Sequence, residues 1–170
     1  MCISKDAKVA VIMGSDSDLS VMKSCIKILK DFDIQCEVMV CSAHRTPDKA
    51  SQFAKNAVAN GIDVIIAAAG KAAHLPGVLA AYTPIPVIGV PVKSSTLDGL
   101  DSLLSIVQMP AGIPVATVAV DGAENAALLA VQILSVGYHE LRDKMLAYKK
   151  SLADKVEKKN SELQKKLEEI

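Results

Sequence analysis

The chain has 170 residues with 19 basic and 19 acidic side chains, so its formal net charge at pH 7 is zero. A neutral chain has no overall field to attract nucleic acid or an anionic membrane surface, and any phosphate site has to be local. Hydrophobic residues make up 51% of the chain. This share is high for a soluble domain and predicts additional buried surface in a homo-oligomer.

Cysteine usage indicates a reducing compartment. Cys2, Cys25, Cys36 and Cys41 have no CxxC spacing and fall mostly within predicted strands or helices, which favours reduced core thiols. We recognise no signal peptide, and the longest apolar runs are interrupted by Gly, Pro or Lys well short of membrane length. We therefore expect a cytoplasmic protein without a membrane partner.

Predicted strands and helices alternate along most of the chain. Strands that are apolar throughout and separated by helices predict an α/β domain whose central parallel sheet is covered on both faces. In chain order we predict strand 7–13, helix 19–29, strand 34–41, a helix from 47 that Gly61 stops, strand 64–69, a short helix after 70–77, strand 87–90, strand 115–120 and helix 123–134.

The segment beyond Gly137 has a different character, with many charges and no glycine or proline. Its apolar residues recur three, four or seven positions apart, which predicts one long amphipathic helix. That helix would be either a partner-binding or coiled-coil arm or a helix packed on its own or a neighbouring subunit, and we favour the second. The apolar residues are Leu141, Met145, Tyr148, Leu152, Val156, Leu163 and Leu167.

The loop after the first strand, Gly14-Ser15-Asp16-Ser17-Asp18, is polar and begins a helix. Gly14 permits a tight turn, and hydroxyls and backbone N–H groups at a helix start can hold an anion or sugar hydroxyls. The loop lacks the glycines of a dinucleotide fingerprint and the Gly-Lys-Ser/Thr of a P-loop. Two interpretations stay open for Ser15 and Asp18: a helix cap or a ligand loop.

The loop after the second strand places His44 and Arg45 side by side, ahead of Thr46 as N-cap and Pro47 at the first helical position. Ligands of an open α/β sheet bind outside the carboxyl ends of the strands, where this loop lies. A histidine supplies a proton donor or acceptor near neutral pH, and an arginine clamps anions. We predict that His44 is catalytic.

A third loop follows the strand at 64–69 and contains Gly70 and His74. Its small residues would let a ligand approach the backbone, while His74 is equally consistent with structural hydrogen bonding at a helix start. A metal site is the weaker hypothesis, because His44 and His74 have no third ligand close in sequence and His139 lies in the C-terminal segment. All candidate site loops precede residue 111.

Several short segments carry a specific combined pattern: GSDSD at 14–18, SAHRTP at 42–47, AAHLPG at 72–77, GVPV at 89–92, DSLLSIVQMP at 101–110 and NAALLA at 125–130. Together they closely resemble the PurE family over about residues 7–136. The resemblance points to the class I branch, the N5-carboxyaminoimidazole ribonucleotide mutases of bacterial purine synthesis. The class II branch, which carboxylates aminoimidazole ribonucleotide with CO2, typically carries Lys where Arg45 stands and Arg-Ser-Asn at positions 71–73.

The resemblance implies a flavodoxin-like three-layer αβα domain with a central parallel sheet at 1–137. Residues 138–170 would be its C-terminal helical extension. It also implies a homo-octamer with sites between subunits and no metal, nucleotide or biotin cofactor. By motif position, Ser15 and Asp18 would hold the ribose phosphate portion of the substrate, with Ser42 beside them and Arg45 on the phosphate.

By the same resemblance, His44 would be the acid/base catalyst, and His74 and Gly70 would border the imidazole and the migrating carboxyl group. The segment 108–110 would close the site, from this or another subunit. Lys71 departs from the class I pattern, which commonly has Gly there. Its ammonium would either hold a carboxylate near the CO2 pocket or extend into solvent, and the sequence favours the second.

The chemistry expected of such a site is a carboxyl shift from the exocyclic nitrogen to ring carbon C4, by release and recapture of CO2 with one histidine as acid and then base. Two alternatives stay open: a class II-like carboxylase that uses free CO2, and a non-catalytic phosphosugar-binding module. The first would require dissolved CO2, and the second would bind without turnover.

Overall fold

A computed structural model of the chain describes residues 7–168, so the expectation for Cys2 lies outside the described residues, as do residues 169–170 of the C-terminal segment. Regular elements alternate along the described chain. In order they are β1 (Lys8–Met13), α1 (Leu19–Asp31), β2 (Gln35–Val40), α2 (Pro47–Asn56), β3 (Val64–Gly70), α3 (Leu75–Tyr82), β4 (Val87–Val92), α4 (Leu100–Val107), β5 (Ala116–Thr117), α5 (Ala123–Leu134) and α6 (His139–Leu167).

The five strands form one sheet in the order β2-β1-β3-β4-β5, and every neighbouring pair is parallel. This is the flavodoxin-like strand order, with the chain reversing direction across the sheet at β1 and β3. All the strands point the same way, so the loops that follow them meet at one edge. The predicted α/β fold with a central parallel sheet is confirmed.

Both faces of the sheet are buried, which explains why its inner strands have no polar alternation. On β3, Val64, Ile66 and Ala68 join one core with side chains of α1 and α5. The intervening Ile65 and Ala67 join a second core with α2 and α3 on the opposite face. The domain therefore has three layers, as expected.

The helix after β2 ends in a turn that depends on Gly61. The N–H of Gly61 donates to the carbonyl of Val58 at 3.0 Å, and the N–H of Ile62 donates to that of Ala57 at 3.0 Å. Gly61 has φ 73°, so these bonds form the left-handed cap that glycine favours. Gly61 stops the helical turns as predicted, although the regular helix α2 already ends at Asn56.

In the second half of the chain, one predicted strand is shorter than expected and one helix was not predicted. The strand expected at 115–120 pairs regularly only at Ala116 and Thr117. Beyond them, the Val118 N–H donates to the Gly89 carbonyl and the Asp121 N–H donates to the Pro91 carbonyl. Between these two bonds the segment advances by three residues and β4 by two, so the regular ladder is interrupted as at a β-bulge. Helix α4 overlaps the motif at 101–110 and was not predicted from the sequence.

The C-terminal segment forms the long helix that its periodicity predicts, but only the first part packs on the domain. Leu141 and Met145 are buried against the core of α1 and α5. From Leu152 onward every described residue of α6 is exposed. Within residues 7–168, no helix combines the length and apolar character needed to cross a membrane.

The three cysteines that the structure describes are free thiols. Cys25 and Cys41 are buried and Cys36 is partly buried. Burial raises the pKa of Cys25 to about 12 and also raises the pKa of Cys36. Cys25 is therefore a packing residue of α1 rather than a nucleophile, because only the thiolate reacts readily.

Candidate active site

A cavity of about 800 Å³ lies at the carboxyl edge of the sheet. The loops after all five strands contribute to its wall, which is the place where open α/β sheets bind ligands. The cavity brings together all eight predicted site residues from three separate loops. They are Ser15, Asp18, Ser42, His44, Arg45, Gly70, Lys71 and His74.

The loop after β1 is a self-capped turn. The Asp18 carboxylate accepts from the Ser15 N–H at 3.1 Å, and the Ser15 hydroxyl accepts from the Ser17 N–H at 3.4 Å, which together form a capping box. The Ser17 hydroxyl donates to Ser15 Oγ at 2.9 Å. The capping interpretation is confirmed for the 3₁₀ turn Asp16–Asp18 that leads into α1, and Ser15 and Asp18 also line the cavity.

Asp18 is the one acidic side chain among residues 7–168 that is buried, with 6% of its surface exposed. Burial raises its pKa, because a carboxylate loses solvation there, and hydrogen bonds from Ser15 and Ser17 partly oppose this effect. A carboxylate at a cavity wall with raised pKa and spare lone pairs is suited to accept hydrogen bonds from sugar hydroxyls.

The side chain of Thr46 bonds to the loop after β2 and does not cap the helix that follows. Thr46 precedes α2 as predicted, but its side chain makes no cap bond to the helix. Its Oγ1 donates to the Ser42 carbonyl at 2.9 Å and accepts from the Ser42 N–H at 3.0 Å. The Ser42 hydroxyl accepts from the Arg45 N–H at 3.2 Å. This bonding holds His44 and Arg45 at the tip of a tight loop.

Two histidines from different loops meet in the cavity. His44 Nε2 lies 2.8 Å from His74 Nδ1, and the rings are edge to face with centroids 4.9 Å apart. His74 stands at the N-cap of α3, so it is a helix-start residue as one interpretation expects, but its ring bonds to His44 and makes no cap bond to the helix. An imidazole pair can hold and pass one proton within this contact.

Arg45 is exposed, and its guanidinium makes one long contact, 3.4 Å from NH2 to the carbonyl oxygen of Gly14. Its remaining donors are open to an anion in the cavity. Gly14 has no positive φ, and a methyl group there would meet its neighbours at ordinary distances of 3.6 Å or more. The turn after β1 therefore does not depend on the conformational freedom of glycine at position 14.

Sequence reasoning missed the part of the wall contributed after β4 and β5: Lys93, Ser94, Ser95 and Asp121. The Asp121 carboxylate accepts from the Lys93 N–H at 2.9 Å and joins the two loops. The expectation that every site loop precedes residue 111 was therefore wrong. The polar run Lys93-Ser94-Ser95 directly after a buried strand was the available signal.

Residues 108–110 are not among those that line the cavity within this chain. Met109 lies beside α3, where a methyl group on Gly77 would come 3.0 Å from its sulfur. Among residues 7–168, no three histidine, cysteine or acidic side chains are grouped as a metal site requires.

Comparison with known proteins fits this arrangement. The family model described as AIR carboxylase matches residues 8–155, which include every residue of the cavity wall. The chain belongs to the AIR carboxylase family. The match continues through Leu141 and Met145, where α6 packs on the core, and stops where α6 becomes exposed.

Relatives of this AIR carboxylase family chain are similar over most of their length. A Pyrococcus abyssi protein named N5-carboxyaminoimidazole ribonucleotide mutase is 63% identical over 145 residues, 85% of this chain and 83% of that protein. A Thermotoga maritima protein of the same name is 56% identical over 157 residues, 92% of each. The crystal structure of Treponema denticola PurE superposes with a TM-score of 0.83 at 30% identity, covering 92% of this chain and 98% of that one.

Proposed function

We propose that this chain is an N5-carboxyaminoimidazole ribonucleotide mutase, an isomerase of purine biosynthesis. The observation that carries the proposal is the His44–His74 pair inside a polar cavity, in a chain 56–63% identical to proteins named as that mutase. The reaction moves a carboxyl group from the exocyclic nitrogen of an aminoimidazole ribonucleotide to its ring carbon C4.

The phosphate end of the substrate is assigned to the Arg45 side of the cavity. The open donors of the guanidinium suit a phosphate, which they can bind with two parallel hydrogen bonds. The hydroxyls of Ser15 and Ser42 lie in the adjoining loops, and the buried carboxylate of Asp18 is placed to accept from ribose hydroxyls. This arrangement directs the imidazole ring toward the histidines.

In the first chemical step, His44 donates a proton to the exocyclic nitrogen of the substrate. The nitrogen–carbon bond of the carbamate then breaks, and its electron pair stays on the nitrogen. This leaves a neutral amine and a molecule of CO2. A group that gives up a proton near neutral pH is required here, and imidazole is the side chain with that property.

In the second step, ring carbon C4 attacks the CO2 and forms the new carbon–carbon bond. His44, now neutral, removes the proton from C4 and restores the aromatic ring. The proton spent in the first step is thereby recovered, and the reaction is balanced without a metal or a cofactor. His74, 2.8 Å from His44 Nε2, orients the imidazole for both transfers.

Retention of CO2 between the two steps is what separates a mutase from a carboxylase. The wall near the histidines is made of small residues, Ala69, Gly70 and Ala72 among them, which allow the ring to lie close to the backbone. A CO2 molecule held there meets C4 at a high effective concentration, whereas escape to solvent would dilute it.

We also propose that the enzyme is a cytoplasmic homo-octamer. Helix α4 exposes an apolar stripe of Leu100, Leu104 and Val107, each 47–50% exposed, and edge strand β2 exposes Val38 and Val40 at 41% and 44%. Apolar stripes of this kind are usually covered by another subunit. Light scattering should give the mass of an octamer, and a monomeric mass would contradict the assembly.

Substrate choice tests the function. The purified chain is given either N5-carboxyaminoimidazole ribonucleotide, or aminoimidazole ribonucleotide with bicarbonate. We expect fast formation of the C4-carboxylated product from the first and slow formation from the second. The reverse order would identify a carboxylase, as the family description names, and binding of both without product would identify a phosphosugar-binding module.

A further inference from the structure

Four residues other than glycine have a left-handed backbone in the described chain, and one of them differs from the rest. Asp33, Lys71, Asp98 and Asp121 have φ between 51° and 57°. Aspartate tolerates this conformation because its short polar side chain can form hydrogen bonds to the nearby backbone, whereas the long side chain of lysine forms no such bond. Lys71 is the residue that does not fit this rule.

The three aspartates each have a polar partner. Asp33 pairs with Lys144 at 2.8 Å, Asp98 pairs with Lys93 at 3.1 Å, and Asp121 accepts from the Lys93 N–H at 2.9 Å. Among residues 7–168, no ion pair or hydrogen bond involves the ammonium of Lys71. Lys71 is therefore the one of these four residues whose side chain has no polar partner in the described part of the chain.

The position of Lys71 indicates the kind of group that its ammonium would bind. It directly follows β3 and lines the cavity, three residues before His74. The other cations of the wall are Arg45, which is assigned to phosphate, and Lys93, which is paired with Asp98. Residues held in sparsely populated backbone conformations cluster at functional sites. Lys71 is thus the remaining cation of the cavity wall that can bind a second anionic group of a ligand.

We propose that the Lys71 ammonium binds the carboxylate that migrates during the reaction. This inference rests on the proposed function, because the substrate and product of that reaction carry a phosphate and a carboxylate, two anions for two available cations. The carboxylate leaves the exocyclic nitrogen and arrives at C4, so its partner has to follow it. A point charge on a flexible four-carbon stem suits this task better than a planar guanidinium.

The proposal reverses the solvent-facing interpretation that the sequence favours, and it predicts a ligand-selective loss. The C4-carboxylated product and aminoimidazole ribonucleotide share the ribose phosphate and differ by the carboxylate. In Lys71→Gly, we expect binding of the carboxylated nucleotide to weaken about tenfold, the usual worth of one charge-assisted hydrogen bond. Binding of aminoimidazole ribonucleotide should be unchanged.

Two further variants separate charge from backbone. Lys71→Asn removes the charge and keeps a residue that tolerates positive φ, so it should show the same selective loss. Asp33→Gly relieves a left-handed residue with the same φ of 57° at the opposite edge of the sheet, and it should bind both nucleotides as wild type does. Thermal melting confirms that each variant is folded.

The dissociation constants of both nucleotides are measured by calorimetry for wild type and the three variants. Equal affinity of Lys71→Gly and wild type for the carboxylated nucleotide would overturn the inference, with the mutase function intact. An equal loss for both nucleotides would also overturn it, because Lys71 would then act on the shared phosphate or on the fold. A wild-type chain that turns over neither substrate would instead refute the proposed function.

Discussion

The imidazoles of His44 and His74 share a contact of 2.8 Å between Nε2 and Nδ1, although the two residues are 30 positions apart. The distance requires that one of the two nitrogens carries the proton and the other accepts it. Two fully protonated rings would bring two N–H groups against each other, so the contact holds at most one added proton. The contact therefore orients the His44 ring through its Nε2 and leaves its Nδ1 available for another partner.

Replacing His44 with asparagine should leave the fold intact and lower turnover roughly 100- to 10,000-fold, because an amide cannot accept and return the proton. Binding of the C4-carboxylated product should change little. Turnover is measured by steady-state kinetics and binding by calorimetry.

The matched variant is His74→Asn, which keeps a hydrogen-bonding group beside His44. It should lose less activity than His44→Asn and shift the pH profile of turnover, since in the proposed mechanism His74 orients His44 and does not itself transfer the proton to substrate. Near-wild-type turnover of His44→Asn would remove His44 from the mechanism.

Arg45→Leu should weaken the binding of phosphorylated ligands and leave the chemistry of bound substrate largely intact. Arg45 is exposed in the chain, so the loss is that of a charge-assisted hydrogen bond, roughly 10- to 100-fold in KM, rather than that of a fully buried ion pair. Comparing the ribonucleotide with its dephosphorylated ribonucleoside locates the effect. If the variant lost affinity equally for both, the guanidinium would not be the phosphate ligand.

Gly89→Ala should destabilise the fold by about 1–3 kcal/mol, the usual cost of overpacking a core. A methyl group at Gly89 would clash with Cγ2 of Ile106, and Ile106 is fully buried where α4 packs on β4. Gly14→Ala is the control, because its methyl group has room. Urea denaturation should separate the two variants, and equal stability would show that α4 packs elsewhere.

Truncation after Lys150 should give a folded and active enzyme. The contacts that hold α6 on the domain, Leu141 and Met145, precede the cut, and Asp121, the last residue of the cavity wall, does as well. Melting temperature, mass in solution and turnover are compared with the full chain. Dissociation to inactive monomers would show that residues 151–170 are an assembly element rather than an extension of the same domain.

Local patterns in the sequence predicted most of the sheet, and they predicted that the candidate site lies at its carboxyl edge. Continuous apolar runs fix buried parallel strands, and polar residues directly after them have to lie at the carboxyl edge. Helix α5, predicted at 123–134, begins and ends at those residues. Gly61 ends the turns that follow α2 through a left-handed backbone conformation, which glycine favours.

The missed features depend on contacts between distant segments. The early break of β5 follows from how residues 116–121 meet β4, which periodicity does not encode. The same holds for the contact of His44 with His74 and for the place of Asp121 in the cavity, because each requires knowing which loops are neighbours in the sheet. The unusual backbone of Lys71 had a sequence signal, a lysine where class I proteins commonly have glycine, but its meaning required the φ value.

The most direct test of the account follows the carboxyl carbon itself. N5-carboxyaminoimidazole ribonucleotide labelled with carbon-13 in its carboxyl group is converted by the enzyme in buffer that contains unlabelled bicarbonate, and the product is examined by mass spectrometry. If CO2 stays in the cavity between release at the nitrogen and capture at C4, most of the product retains the label, and the rate does not depend on added bicarbonate. Product that carries mainly unlabelled carbon, at a rate proportional to dissolved CO2, would contradict the mutase mechanism.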